Sequence, residues 1–148
     1  MSDILSLCAN EAKSSYLDQE IIIEEGTKSG RLYILISGKI EVFKDRVAIA
    51  ILANPGSVMG EMSLLNNVPH SASCRAVGNA ELYIIEDAEK FLQENPRIFW
   101  LVSKDLASKL KLTTDCLSEF SKNLIKYSSF ELNRQLDLAE EVLSTVAS

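Results

Sequence analysis

Hydrophobic positions along this 148-residue chain change their spacing twice. From Asp3 to about Ser14, Ile4, Leu5, Leu7 and Cys8 follow a candidate N-cap aspartate in a weak helical pattern. From Gln19 to Leu52 the pattern becomes short β-branched and aromatic runs, Ile21–Ile23, Leu32–Ile36, Ile40–Phe43 and Val47–Leu52. Gly26, Gly30 and Gly38 fall where turns are needed, and Lys44-Asp45-Arg46 reads as a tight hairpin connection. Pro55-Gly56 closes this set, Ser57-Val58-Met59 leads into Gly60, and two further strands are expected at about Ser71–Val77 and Glu81–Glu86. Short strands at close spacing with glycine turns predict an all-β barrel or jelly roll.

After Asp87 the pattern is helical. Asp87-Ala88-Glu89-Lys90-Phe91-Leu92 predicts a short capped helix, and Asn95-Pro96 stops it while placing proline in the first turn of the next. The chain therefore divides into 1–95, a β-roll with a short N-terminal helix, and 96–148, a long helix followed by a C-terminal one. Leu106, Leu110, Thr113, Leu117, Phe120, Leu124 and Tyr127 alternate by four and three, the seam of a coiled coil, so a partner helix is implied over Pro96 to Tyr127. Leu132, Leu136, Ala139, Leu143 and Val146 continue in a shifted phase. Ser128 with Glu131 as a capping box would begin a separate helix, the favoured reading, whereas a continuous helix with a stutter would give the same pattern. Packing of both series onto the β-roll is the alternative to a dimer seam.

Composition narrows the function. The chain is 47% hydrophobic, enough for one domain with a core. Its 21 acidic against 15 basic residues give a net charge of -6, which repels nucleic acid and requires any bound anion to be held locally. After Tyr127, Arg134 is outnumbered by Glu131, Asp137, Glu140 and Glu141, so no DNA-reading helix-turn-helix is expected there. No secretory signal or membrane-length apolar run is visible, and Cys8, Cys74 and Cys116 fit neither a disulfide framework nor a zinc site. A cytoplasmic protein with reduced thiols is expected. One histidine cannot build a cupin-type metal site, and no nucleophile elbow or Gly-Lys phosphate loop is present, which argues against an enzyme.

The block Pro55-Gly56-Ser57-Val58-Met59-Gly60-Glu61-Met62-Ser63-Leu64-Leu65, followed by Pro69-His70-Ser71-Ala72-Ser73, resembles the phosphate-binding cassette of the cyclic-nucleotide-binding family, its catabolite-activator branch in particular. Glu25-Gly26, Tyr33-Ile34 and Ser37-Gly38 match that family's first strands, and the likeness runs from about Leu17 to Leu117. It implies an eight-stranded double-stranded β-helix, mainly β with α, without a DNA-binding domain. The chemistry is legible too: Gly60 lets backbone approach a ligand, and a helix starting near Glu61 turns free N–H groups toward an anion. By the resemblance, Glu61 would accept hydrogen bonds from a ribose 2′-hydroxyl. Ser71 and backbone amides near Gly60, Met62 and Ala72 would contact the phosphate.

The pattern departs at one position, because the family's phosphate-binding arginine is replaced by His70. Histidine is mostly neutral above a pKa of about 6.5 and lacks arginine's planar fork, so binding should be weaker and should tighten as pH falls. Arg75, five positions along an extended strand, would face the opposite way. In the long helix, Gln93, Asn95-Pro96, Ile98, Ser103, Leu106-Ala107, Leu110 and Thr113-Thr114 match the family's dimer helix. There Thr113, and Thr114 of the partner, would meet an adenine amino group, favouring cAMP over cGMP. The expectation is a non-enzymatic, dimeric, stand-alone cAMP sensor whose effector is another protein or nothing. The alternative is an interaction module of the same fold that lost its ligand with the arginine.

Overall fold

Alternation along one long strand, β3 (Leu32–Lys44), organises the β-roll. Successive strand side chains point to opposite faces. At the start of β3 both faces are covered, Leu32 and Ile34 entering one apolar cluster and Tyr33 and Leu35 another. This two-sided burial is why residues 32–36 read as an unbroken apolar run. A computed structural model describes residues 2–147. Before β3 come α1 (Ser2–Leu7), β1 (Ala12–Tyr16) and β2 (Ile21–Ile23). After it come β4 (Val47–Leu52), β5 (Val58–Met59), α2 (Glu61–Asn66), β6 (Ser73–Ile85), α3 (Ala88–Glu94) and α4 (Pro96–Val146).

All strand pairs are antiparallel, in the order β1-β6-β3-β4, with β2 also on β6 and β5 on β3. Among the described residues the expected eight strands are six. Gly38 and Gly78 lie inside two 13-residue strands, which pair from Leu32↔Ile85 to Phe43↔Ser73 with register shifts on either side of Ser37. Such bulges bend a strand without ending it. Gly38, at φ 92°, is indispensable there, since a Cβ would lie 2.3 Å from the Asn79 carbonyl oxygen. The N-terminal helix is also shorter than expected, and residues 12–16 form β1 instead. Lys13, Ser14 and Ser15 hide that strand because an edge strand needs little apolar surface.

The first cluster joins Leu32, Ile34, Tyr83 and Ile85 of the sheet to Ile4 and Cys8, to Leu92 of α3, and to Ile98 and Val102 in the first turns of α4. The second lies inside the roll and unites Ile23, Tyr33, Leu35, Ile40, Met59, Cys74, Ala76 and Leu82. Each large side chain buried in this way contributes about 1.5–3 kcal/mol. The Asp45-Arg46 turn is as expected, both residues having positive φ as a two-residue hairpin requires. On β4, Val47, Ile49 and Ile51 are exposed. Asp87 caps α3 by accepting the Lys90 N–H, and α4 begins at Pro96. Cys8, Cys74 and Cys116 are free thiols, and burial, with Glu11 nearby, raises the Cys8 pKa to about 11.

Contacts divide the chain after Leu106. The unit from Ala107 onward is the remainder of α4, and Leu110, Leu117, Phe120, Leu124, Tyr127, Leu132, Leu136, Leu143 and Val146 are exposed along it. The break favoured at Ser128 does not occur. The Ser128 and Ser129 hydroxyls donate to the Ile125 carbonyl, so they bond back into the helix rather than capping a new one. The phase shift is carried as a stutter within one helix. No helix among the described residues is long and apolar enough to cross a membrane.

Candidate functional site

The site residues of the β-roll are gathered by a short connection between β5 and β6. Strand β5 pairs with β3 through Tyr33↔Met59 and delivers the chain to Gly60. Gly60 caps α2 in a left-handed conformation, φ 91°. A Cβ here would meet the Arg31 carbonyl oxygen at 2.7 Å, so the chain passes β3 closely only because the residue is glycine. Having no side chain, Gly60 offers no hydrogen bond to the first N–H groups of α2. Glu61 and Ser63 of α2 are buried, while Met62 is exposed.

The far end of α2 is closed tightly. Asn67 adopts the left-handed conformation and donates its N–H to the Leu64 and Ser63 carbonyls. The Ser63 hydroxyl donates to the Val68 carbonyl, and Lys28 Nζ donates to the Asn67 carbonyl at 3.2 Å. The next residues are laced to the turn after β2: the His70 N–H donates to Thr27 O at 2.8 Å, and the Gly26 N–H to His70 O at 2.9 Å. The Glu25 N–H donates to Ser73 Oγ at 2.9 Å. These bonds hold the backbone of residues 70–73 in place before any ligand arrives.

His70 is buried, and its Nε2 lies 3.2 Å from Ser29 Oγ. Burial lowers its pKa from the ordinary 6.5, the Glu61 carboxylate opposing that shift. The imidazole is therefore neutral at neutral pH, and the two side chains sense each other electrostatically. Ser71 is exposed and Ala72 half-buried. Gly60, Glu61, Met62, His70, Ser71 and Ala72 thus share the one connection between β5 and β6. Thr113 and Thr114 belong to the second unit, where both are exposed and donate their hydroxyls to the Lys109 and Leu110 carbonyls, each at 2.9 Å.

Arg75 faces outward as expected, paired to Glu41 at 2.6 Å with its guanidinium 4.8 Å from the Phe43 ring centre. Two contributors escaped the sequence reading. Ser29 is drawn to His70 by a turn that no periodicity marks. Lys44 Nζ reaches the Ser71 carbonyl at 3.1 Å and the Glu25 carboxylate at 3.5 Å. Its signal was the alternation Ile40, Val42, Lys44, which continues one strand face past the turn residues it was grouped with. Among the described residues no group of three or more His, Cys, Asp or Glu side chains could hold a metal ion.

A β-roll with a short glycine-capped helix between two of its strands is the architecture of the site. The family model for the cyclic nucleotide-binding domain matches residues 13–95, and the chain belongs to that family. The Cyclic AMP receptor protein of Thermus thermophilus is 32% identical over 124 residues, covering 77% of this chain and 57% of its own. The crystal structure of the Thermus thermophilus catabolite activator protein superposes with a TM-score of 0.64 at 27% identity, over 80% of this chain and 60% of that one. The cAMP-bound PfPKA-R (141-441) gives 0.63 at 25% identity, over 80% of this chain and 43% of that one. The chain thus spans less than two thirds of the length of these relatives.

Proposed function

We propose that this chain is a regulatory module that binds a cyclic nucleotide, cAMP ahead of cGMP, without catalysis, in the cytoplasm. The observation that carries this reading is the intact connection Gly60–Ala72, with its close-packed glycine, buried Glu61 and pre-laced backbone at 70–73. Glu61 accepts the ribose 2′-hydroxyl, and Ser71 with the amides near Gly60, Met62 and Ala72 holds the cyclic phosphate. His70 sits beside that phosphate and reinforces it once protonated. Thr113, with Thr114 of a second copy, meets the adenine amino group. The cAMP named for two of the relatives supports the choice of base.

The helix Pro96 to Tyr127 joins two copies through the seam of Leu110, Leu117, Phe120 and Leu124, and the signal passes to a protein effector. A second reading rests on one observation: His70 is buried, neutral and bonded to Ser29, so the connection lacks the fixed charge of an arginine. In that reading the module only dimerises and holds a partner. Calorimetric titration with cAMP and cGMP at pH 6 and pH 8 decides between them. Binding of cAMP, tighter at pH 6, is expected; no heat and no thermal shift at millimolar ligand would establish the second reading.

A further inference from the structure

The interior face of β3 ends in a cation. Ile40 is buried in the interior cluster and Val42 packs against it, and Lys44 is the next residue on that face. The pairing Phe43↔Ser73 sets Lys44 alongside Ala72, one residue from Ser71, whose carbonyl its ammonium reaches at 3.1 Å. The neighbouring cations are engaged elsewhere. Lys28 is bonded at Asn67, the opposite end of α2 from Gly60, and Arg75 is committed to Glu41 on the outer face. His70 is neutral at neutral pH.

We propose that Lys44 supplies the positive charge that this connection presents to the phosphate of a cyclic nucleotide, an assignment that rests on the nucleotide-binding reading above. A cyclic phosphate diester carries one negative charge, which a single ammonium neutralises. Lysine suits the task differently from arginine: it is a point charge on a flexible four-carbon stem, with three donors free to reorient. Half exposed and held by one carbonyl and one carboxylate at 3.5 Å, Lys44 turns from the Ser71 carbonyl to an anion on the hydroxyl of the same residue. Glu25 then acts as its resting counter-ion and competes with the ligand.

The test is calorimetric titration of the full chain with cAMP at pH 8, where His70 is uncharged, in low and in high salt. Lys44→Gln should weaken binding by about tenfold or more, the scale of one charge-assisted hydrogen bond. It should also flatten the salt dependence, because the screened pair is gone. Lys44→Arg should retain binding within about threefold, Glu25→Gln should tighten it, and Lys90→Gln, on α3 beside Glu94, should leave it unchanged. Thermal unfolding of each variant establishes that it is folded. Wild-type binding that Lys44→Gln leaves unaltered in strength and salt dependence overturns the role of Lys44 while the nucleotide reading stands. A wild-type protein silent toward millimolar cAMP overturns both.

Discussion

The β-roll and the distal part of α4 have similar shares of apolar side chains but opposite uses for them. Up to Leu106, most of the large hydrophobic side chains of β3 and β6 are buried, on both sheet faces, and the unit holds itself together by long-range pairing. From Ala107 onward the leucines recur at helical spacing and are exposed. A helix in that condition draws little stability from propensity alone. The comparison teaches that the two parts of the chain can be perturbed separately: stability resides in contacts within the roll, whereas the exposed apolar positions of α4 are those of the proposed seam.

That separation can be broken most forcefully in the core. Ile34→Ala should cost about 2–5 kcal/mol in chemical denaturation. The loss should be the same at every protein concentration, since both faces of β3 belong to a single copy. In the proposed seam, Leu117→Asp should shift sedimentation from the expected dimer to monomer, raising the dimer Kd by more than about tenfold by placing a charge in an apolar interface. The near-ultraviolet signal of the roll should not change. A wild-type chain that sediments as a monomer at high micromolar concentration would contradict the assembly role of the seam.

Two smaller effects sharpen the contrast. Because burial depresses the His70 pKa, the imidazole is neutral in the folded roll where the unfolded chain still takes up a proton. Its contribution to unliganded stability is therefore complete above pH 6.5 and is lost as pH falls through the lowered value. By the proposed role of His70, ligand affinity should run the other way, tightening as the imidazolium forms. Melting curves and cAMP titrations from pH 8 to pH 5.5 should diverge in sign, and His70→Gln should abolish both slopes. Smallest of all, Ser128→Ala should change helicity and stability by less than about 0.5 kcal/mol, as befits an exposed hydroxyl bonded within its own helix. A loss of about 1 kcal/mol would signal the N-cap that the structure lacks.

The contact of Gly60 with the Arg31 carbonyl was hidden, but the cassette was legible through its resemblance to a known family and through a glycine whose positive φ begins a short helix. Legible too were the Asp45-Arg46 turn, the Asp87 cap and Pro96, each decided by backbone chemistry within a few residues. What stayed hidden depends on partners distant in sequence. Strand β1 exists because β6 offers it an edge, Gly38 interrupts nothing because Asn79 and Ala80 pack against it, and Lys44 matters through Ser71, 27 residues away. At Ser128 the sequence allowed two readings, and the local hydroxyl geometry chose the continuous one.

The close pass of Gly60 over Arg31 also sets how this protein can diverge. With the Arg31 carbonyl 2.7 Å from where a side chain would begin, that position has no room to drift, and a saturation library should return glycine alone there. Variation is thereby displaced to neighbours whose side chains have freedom, the exposed Met62 and the half-exposed Lys44, while the buried His70 is constrained by its contact with Ser29. The scaffold is rigid at the one point that aims the backbone and open on its exposed flank, so change in this domain is expected to accumulate around Gly60 rather than at it.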